Sequence, residues 1–368
     1  MMDFTPAESQ QAVAALAAEI LTEPDPWKEL ARAGLLDVSA PHGLGVLDTT
    51  FLLTEIGRRI PSLKAHATLM TGALPLARWA HPDLQRQLLP GVASGELLLT
   101  AAIREPSNPQ PDPPATTITN GKLTGTKVGV PYAEQAALIL VPSMIMGRSG
   151  QIAPKKTHDH GVALVDPHAS GVKLTRTHSS SGEPEYTLRM DGAPVEEMLG
   201  GADRVRDLYQ LAIAGACALA DGAVAGALAL TRDHVATREQ FGRPLATFQA
   251  VSQQIADVYI ASRTLHLATL AACWRLDAGP GVGPGVGPGV GPGVGPGVDT
   301  AAGADLDVAG YWCAEQASRS VRICHHLHGG LGMDVTYPLH RFSSLVADLV
   351  RYLGGAEYRL ERLACSST

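Results

Sequence analysis

Apolar residues change their spacing twice along this chain of 368 residues, and each change limits the folds it can adopt. Up to about residue 95 they recur at helical spacing, as in 7–21 and 48–59. Short strand-like runs between turn residues follow, and beyond residue 203 the helical spacing returns. The pattern predicts an α+β chain with a helical domain at 1–95, a β-domain at 96–201 and a C-terminal helical bundle at 202–368.

Short apolar runs in the middle third predict strands, and their regular spacing favours a small antiparallel sandwich or barrel. In the last third, long runs with few breakers predict helices. The strand-like runs lie at 97–99, 122–128, 137–141, 161–165 and 186–190, and the helical runs at 203–237, 244–276, 303–327 and 342–364.

The segment 279–298 repeats Gly-Pro-Gly-Val five times. Proline and glycine at this density exclude both a helix and a strand ladder, so we expect a flexible insert between two helices. Long loop insertions have a small free-energy cost, and an expanded surface loop is therefore favoured over a binding role.

Charge and cysteine content limit the partners of the chain. The formal net charge is −7 and the isoelectric point about 6.0, which argues against nucleic acid or an anionic membrane as the main partner. No apolar run is expected to cross a bilayer, and the amino terminus lacks the pattern of a secretory signal. Five cysteines without paired spacing indicate reduced thiols and a cytoplasmic location.

The segment 238–249 reads Arg-Glu-Gln-Phe-Gly-Arg-Pro-Leu-Ala-Thr-Phe-Gln and follows a long alanine-rich helical run. Arginine binds a diphosphate through its fixed fork of donors, so Arg238 is a candidate ligand for a dinucleotide. Phe241 offers an aromatic ring, and Gly242 allows a tight turn. An ordinary helix end with a solvated arginine is the alternative, and the added Pro-Leu-x-x-Phe-Gln makes it less probable.

A glycine-rich turn follows at 329–332, directly after a histidine-rich helix end. Gly329 and Gly330 would let a phosphate approach backbone amides, although such a turn is most often a simple helix terminus. His325, His326 and His328 cannot all lie on one helical face, and no complete set of metal ligands accompanies them. We therefore predict no metal site.

These two segments, in this order and about 90 residues apart, resemble the signatures of the acyl-CoA dehydrogenase family. The resemblance spans the chain apart from the insert, and it implies the family fold and FAD-dependent oxidation of an acyl-CoA thioester. It also implies a cofactor-binding set that reaches the ADP half of a flavin whose ring belongs to the neighbouring subunit. That set is Arg238, Gln240, Phe241, Leu245, His326 (at the family's glutamine position), Gly329 and Gly330.

The departures from the family concern catalysis. The family places its glutamate base at one of two positions, which correspond here to Gly354 and to Ala212, 26 residues before Arg238. Neither side chain can accept a proton, so no catalytic residue is predicted. The loop that holds the flavin ring and the thioester in the family corresponds to 102–112, where Glu105-Pro106 survive and prolines replace glycines.

The family residues that are missing would form this chain's own catalytic site, namely the base and the ring-binding loop. The family residues that are kept would bind a neighbouring subunit's flavin. The resemblance is strongest to the base-lacking subunits of the α2β2 acyl-CoA dehydrogenases of actinobacterial steroid catabolism. It implies a sister subunit that supplies the base, a steroid side-chain CoA ester as substrate and an electron-transfer flavoprotein as acceptor. The stretches that carry this likeness are 125–130, 259–264, 324–330 and 332–338.

Two alternatives remain open at this stage. The chain could be a self-sufficient homo-oligomeric enzyme with a relocated base, for which Asp207 is the candidate. It could also be a non-catalytic scaffold whose flavin site has degraded.

Overall fold

The computed structural model describes residues 5–39, 43–59, 62, 64–146, 160–278 and 300–366. Its described elements follow the predicted order of helices, strands and helices. The predicted insert at 279–298 lies outside the described residues.

The first helical layer packs its apolar face towards the centre of the molecule. Helix α3 buries most of its residues, and a π-helical segment at His66–Ala73 is wholly buried. The helices are α1 (Glu8–Ile20), α2 (Pro26–Arg32), α3 (Val46–Arg59), α4 (Leu74–Trp79) and α5 (Pro82–Ala93).

The middle of the chain forms one eight-stranded sheet. Its strands are β1 (Leu99–Ala101), β2 (Thr117–Thr119), β3 (Lys122–Pro131), β4 (Leu138–Ile145), β5 (His160–Val165), β6 (Val172–His178), β7 (Pro184–Pro194) and β8 (Glu197–Gly200). The order is β6-β7-β3-β2-β4-β5-β8, with β1 also paired to β4.

The sheet is mixed, whereas the sequence analysis predicts an antiparallel one. β1 and β2 both pair parallel to β4, one after the other along the same edge, and the remaining pairs are antiparallel. Strands β2, β6 and β8 have no counterpart among the predicted runs. β2 and β8 span only three and four residues, and β6 carries no fully buried residue, so none of them has a strong apolar signal.

Helix α6 (Ala202–Thr237) is the central element of the C-terminal half. It packs backbone to backbone against α3: a Cβ at Gly222 would lie 2.0 Å from the carbonyl oxygen of Thr54, and one at Gly57 would lie 2.3 Å from that of Leu219. Only glycine permits such close approach. The result is a rigid helix pair that fixes where α6 ends.

By length and composition alone, helix α6 is long and apolar enough to cross a bilayer, a feature that the sequence analysis did not anticipate. However, 89% of its most apolar window is buried inside the protein. A core helix passes the same test, because the core replaces lipid as its apolar surroundings.

The remaining helices complete the bundle around α6. They are α7 (Gln249–Ala278), α8 (Thr300–Trp312), α9 (Ser318–His328), α10 (Leu339–Leu353) and α11 (Ala356–Ser366). A π-helical segment at Cys313–Ala317 joins α8 to α9. The predicted single run at 342–364 is divided, because Gly354 ends α10 in a left-handed conformation with φ 86°.

Candidate functional site

A β-hairpin with a two-residue turn follows the end of α6. Helix α6 stops at Arg238, and β9 (Glu239–Gln240) then pairs antiparallel with β10 (Arg243–Pro244). The turn residues Phe241 and Gly242 both have positive φ, 54° and 76°. This backbone suits asparagine or glycine, and a bulky aromatic residue there is uncommon.

The hairpin presents its polar and aromatic groups outward. Phe241 is 91% exposed, and within the described part of the chain no carboxylate lies within ion-pair distance of Arg238, which is exposed. The Phe248 ring packs against the hairpin. Its centroid lies 6.1 Å from that of the Phe241 ring, which is edge-on, and 4.1 Å from the Arg243 guanidinium carbon. Exposed, unpaired groups of these types are available for an anionic and aromatic ligand.

The other two predicted hairpin residues are positioned differently. The Gln240 side chain donates to the Glu239 carbonyl at 2.9 Å and is exposed. Leu245 begins a short 3-10 turn and is half-buried, and its backbone N–H donates to the Arg238 carbonyl at 2.8 Å. Leu245 therefore helps to close the hairpin as well as facing its surroundings.

The glycine turn begins where α9 ends. Gly329 has φ 58°, and an added Cβ at Gly329 or Gly330 would meet no atom within 4 Å. His326 lies exposed in the last turn of the helix. A surface of bare backbone beside open space allows the close approach of a phosphate, which is the chemistry predicted for this turn.

Two histidines join the hairpin to the glycine turn. His234, one helical turn before Arg238, stacks on His328, the residue before Gly329, with ring centroids 4.4 Å apart and planes 17° apart. The two sequence segments, about 90 residues apart in the chain, thus meet on one face of the molecule.

The positions of the family's catalytic glutamate hold no base. Ala212 is fully buried in α6, and its carbonyl oxygen lies 3.0 Å from the Nε2 atom of His66. At Gly354, a Cβ would lie 2.6 Å from the Cγ of Pro109 and 2.7 Å from the Cδ1 of Tyr358. A glutamate at Gly354 would meet both this overlap and an unfavourable left-handed backbone.

The loop at 102–112 is held by a buried ion pair. The Glu105 carboxylate accepts from the fully buried Lys127 ammonium at 2.7 Å. It also accepts from the backbone N–H of Ala115 at 2.8 Å and from the N–H and hydroxyl of Thr116 at 2.9 and 2.7 Å. These contacts, with Lys127 the strongest, keep the pKa of Glu105 below its usual value against the opposing effect of burial. The surviving Glu105 therefore serves the loop's own structure.

A polar recess beside this loop is filled by arginine. Arg104 lies against Gly129, where a Cβ would be 2.7 Å from its Nη1 atom. Across the recess Arg351 forms a bidentate pair with Glu185 at 2.8 and 2.7 Å and also contacts Asp348 at 3.1 Å. Burial and the neighbouring Arg351 charge lower the pKa of Arg104.

Among the described residues that line the recess, the one imidazole is a weak base whose Nδ1 atom has no hydrogen-bond partner. His66, which lines it together with Tyr352, is buried, and desolvation lowers its pKa to about 4. Asp348 is held by two backbone N–H groups and a hydroxyl from Ser180 and Ser181. Side chains that fill the recess leave little room for an isoalloxazine ring, whereas the exposed groups of the hairpin and the glycine turn have the chemistry predicted for contact with the ADP half of a dinucleotide.

The relocated-base candidate lies elsewhere. Asp207 is buried between helices, where it accepts from Arg78 at 3.0 Å and from the Trp79 indole at 2.8 Å. Burial raises its pKa despite these partners. It does not line the recess, and Glu357, the other nearby acid, is exposed on α11. Neither acid is placed to act on a bound thioester there.

Sequence reasoning missed Arg104, Pro109 and the stack of His234 on His328. The signal for Pro109 was visible as proline replacing glycine in the loop, but its contact with Gly354 requires the fold. His234 carried no motif of its own, and only its spacing of one turn from Arg238 could have drawn attention to it.

The order of a helical domain, a mixed sheet and a second helical domain, with the hairpin at 238–245 and the glycine turn at 329–332, defines a class of protein. The chain belongs to the acyl-CoA dehydrogenase family, a family of oxidoreductases whose cofactor is the predicted FAD. It matches "Acyl-CoA dehydrogenase, N-terminal domain" over residues 2–96 and "Acyl-CoA dehydrogenase, C-terminal domain" over 210–364.

Among individual proteins, the chain is similar to acyl-CoA dehydrogenase FadE28 of Mycobacterium tuberculosis, with 44% identity over all of both chains. It resembles the ChsE4–ChsE5 complex from Mycobacterium tuberculosis with a TM-score of 0.84 and 28% identity, over 99% of this chain and 98% of that one. It also resembles a variant of the Tcur3481–Tcur3483 steroid ACAD, with a TM-score of 0.83, 30% identity and coverage of 98% and 97%.

Proposed function

We propose that this chain is the base-lacking subunit of a heteromeric FAD-dependent acyl-CoA dehydrogenase. It would place Arg238, Phe241 and the Gly329–Gly330 turn on the ADP half of a flavin shared with a sister subunit. The sister subunit would supply the catalytic base, the ring pocket and the thioester site.

The observation that carries this proposal is the contact between Pro109 and Gly354. Random loss of a glutamate would leave a space where the carboxylate had been. Here the Cγ of Pro109 lies 2.6 Å from where a Cβ at Gly354 would be, and Arg104 lies on Gly129 beside the recess. This packing supports the proposal, because it leaves no room for a glutamate side chain at that position.

The exposed surface formed by Arg238, Phe241 and the Gly329–Gly330 turn supports the assignment to a shared cofactor. Arg238 and Phe241 are exposed, and the Gly329–Gly330 backbone borders open space. A 91% exposed phenylalanine with positive φ contributes little to the fold of one chain, and such strained positions are concentrated at functional sites. Two solved relatives are complexes of two differently named chains, which favours a heteromer, α2β2 in our proposal.

The substrate class follows from the same relatives. One of them is described as a steroid ACAD, so we propose a steroid side-chain CoA ester as the substrate and an electron-transfer flavoprotein as the acceptor. The net charge of −7 and the five cysteines, with no disulfide among the described ones, support a cytoplasmic location.

FAD, held in part by Arg238, Phe241 and the Gly329–Gly330 turn, would supply the hydride acceptor for α,β-dehydrogenation of the acyl-CoA thioester, and the sister subunit would supply the base. This chain's contribution is binding. The Arg238 guanidinium would pair with diphosphate oxygens, Gly329 and Gly330 would offer backbone N–H groups, and Phe241 would cover the adenosine. His326 could donate a further hydrogen bond from the preceding helical turn.

Flavin content and acyl-CoA oxidation should be measured for the chain alone and co-expressed with a candidate sister subunit. We expect FAD and turnover only in the complex. Arg238→Ala in the complex should weaken FAD binding by about 10- to 100-fold, since it removes a charge-assisted pair of roughly 1.5–3 kcal/mol. Arg232→Ala is the matched control, because Arg232 lies on the same helix but pairs with Asp233 at 2.9 Å.

Each alternative predicts a different result. A self-sufficient enzyme would carry FAD and turn over alone, and Asp207→Asn would abolish its activity; we expect the complex with Asp207→Asn to keep its turnover within about twofold. A non-catalytic scaffold would leave the FAD content of the complex unchanged by Arg238→Ala.

A further inference from the structure

The histidine stack beneath the hairpin has a defined protonation pattern. The His328 Nδ1 atom lies 2.8 Å from the Cys324 carbonyl oxygen, which can only accept, so Nδ1 carries a proton. The Nε2 atom lies 3.0 Å from the Tyr337 hydroxyl, which donates to it. His328 is therefore held with a proton on Nδ1 and with both ring nitrogens hydrogen-bonded, and burial lowers its pKa, which favours the neutral ring.

His234 differs from His328 in being free to titrate. It lies flat on the His328 ring at 4.4 Å, and within the described residues its ring nitrogens have no hydrogen-bond partner. It is half-buried in the last turn of α6, with Arg238 exactly one turn further on the same side of the helix. Its ring thus lies on His328 and one helical turn before Arg238, the predicted diphosphate ligand.

Burial and the charges around His234 disfavour its protonated form when no ligand is bound. Burial lowers its pKa, and the Arg238 charge lowers it further. On α9 the neighbouring groups are the neutral His328 and, beyond it, His325. Asp233 pairs with Arg232, Arg243 of the hairpin lies over Phe248, and the first charged residue of α7 is Asp257, two turns into that helix.

We propose that His234 is a second cationic contact for the diphosphate, and that it takes up a proton from solvent when FAD binds at this surface. A diphosphate carries about two negative charges, more than the single Arg238 charge can neutralise. An imidazolium stacked on the neutral His328 ring would supply the balance, since a cation is favoured over an aromatic face and at a helix carboxyl end. The inference rests on the proposed function and identifies an additional positioning residue.

The sign of the pH dependence follows from linkage. Arg238 and burial hold the pKa of His234 down in the free protein, and a bound dianion would raise it. Binding then takes up a proton at pH values between the two pKa values. FAD affinity should therefore increase as the pH falls through that window, by at most tenfold per pH unit for one proton, and level off below the free-state pKa.

The test uses the apo form of the co-expressed complex and FAD itself as the probe. Calorimetric titrations in two buffers of different ionisation enthalpy give the number of protons taken up per FAD. We expect up to one proton between pH 6 and 7 in the wild type and none in His234→Phe, which keeps the ring stack. His234→Lys, with its permanent charge, should bind FAD at pH 8 without proton uptake. His168→Phe, at an exposed β-domain turn, is the matched control.

The outcomes separate the two proposals. Unchanged proton uptake in His234→Phe, or no uptake in the wild type, overturns the role of His234 even if Arg238→Ala still weakens FAD binding. If Arg238→Ala has no effect on FAD binding, then the shared-flavin surface itself is wrong, whatever His234 does.

Discussion

The family resemblance predicts flavin contacts at two surfaces of this chain, and these surfaces differ in how far their groups are open to solvent. Around Glu105, Arg104 and Gly354, side chains pack closely together, and the glycine positions 129 and 354 are covered by Arg104 and Pro109. Around Arg238 and Gly329 the groups are exposed and border open space. Side chains that cover a surface from within block its access to a ligand, whereas exposed groups without a role in folding indicate a partner.

The largest expected effect concerns the filled surface. Lys127→Met removes the cation that faces the buried Glu105 carboxylate and should lower the free energy of unfolding by about 3–5 kcal/mol. Chemical denaturation of the purified chain measures it. Lys122→Met, at the exposed start of the same strand, should change stability by less than about 0.5 kcal/mol. Equal effects of the two variants would show that the loop is not held by this pair.

A pair of adjacent glycines separates packing from backbone strain. Gly354 and Gly355 have φ of 86° and 87°, but only a Cβ at Gly354 would overlap Pro109 and Tyr358. Both alanine variants should lose about 1–2 kcal/mol through the left-handed backbone, and Gly354→Ala a further 1–3 kcal/mol through overpacking. Thermal or denaturant unfolding of the two variants side by side gives the difference. Equal losses would mean that the loop does not cover the family's base position.

How far the sequence predicts this molecule depends on the range of the contacts involved. Apolar residues recur at helical spacing in α6 and in the other helices of the N- and C-terminal thirds, and these helices are confirmed. β2 and β8 are too short for a period, and the parallel pairing of β1 and β2 with β4 depends on which strand edge is free. Local patterns contain neither kind of information.

The candidate site divides in the same way. Arg238, Phe241 and the Gly329–Gly330 turn were found because each segment carries its chemistry within a few residues, and their assignment to FAD stays a prediction for each residue. The covering of Gly354 by Pro109 joins positions 245 residues apart, and the stack of His234 on His328 joins positions 94 apart. Contacts of that kind exist only in the folded chain, so one sequence does not show them.

Phe241→Asn should have the smallest effect on folding, and it tests the exposed surface around Arg238 most directly. Phe241→Asn places asparagine before Gly242 in a turn where both residues have positive φ, the backbone that Asn-Gly prefers. The free energy of unfolding should stay the same or rise by up to about 1 kcal/mol, because a 91% exposed ring contributes little burial. FAD affinity of the complex should fall by roughly 2- to 10-fold, the equivalent of an aromatic contact of about 0.5–1.5 kcal/mol. Phe241→Tyr keeps the ring and should bind FAD like the wild type.

A stable Phe241→Asn variant with unchanged FAD affinity would mean that the exposed ring serves neither the fold nor the cofactor. The contrast between the two surfaces would then rest on Arg238 and the glycine turn alone.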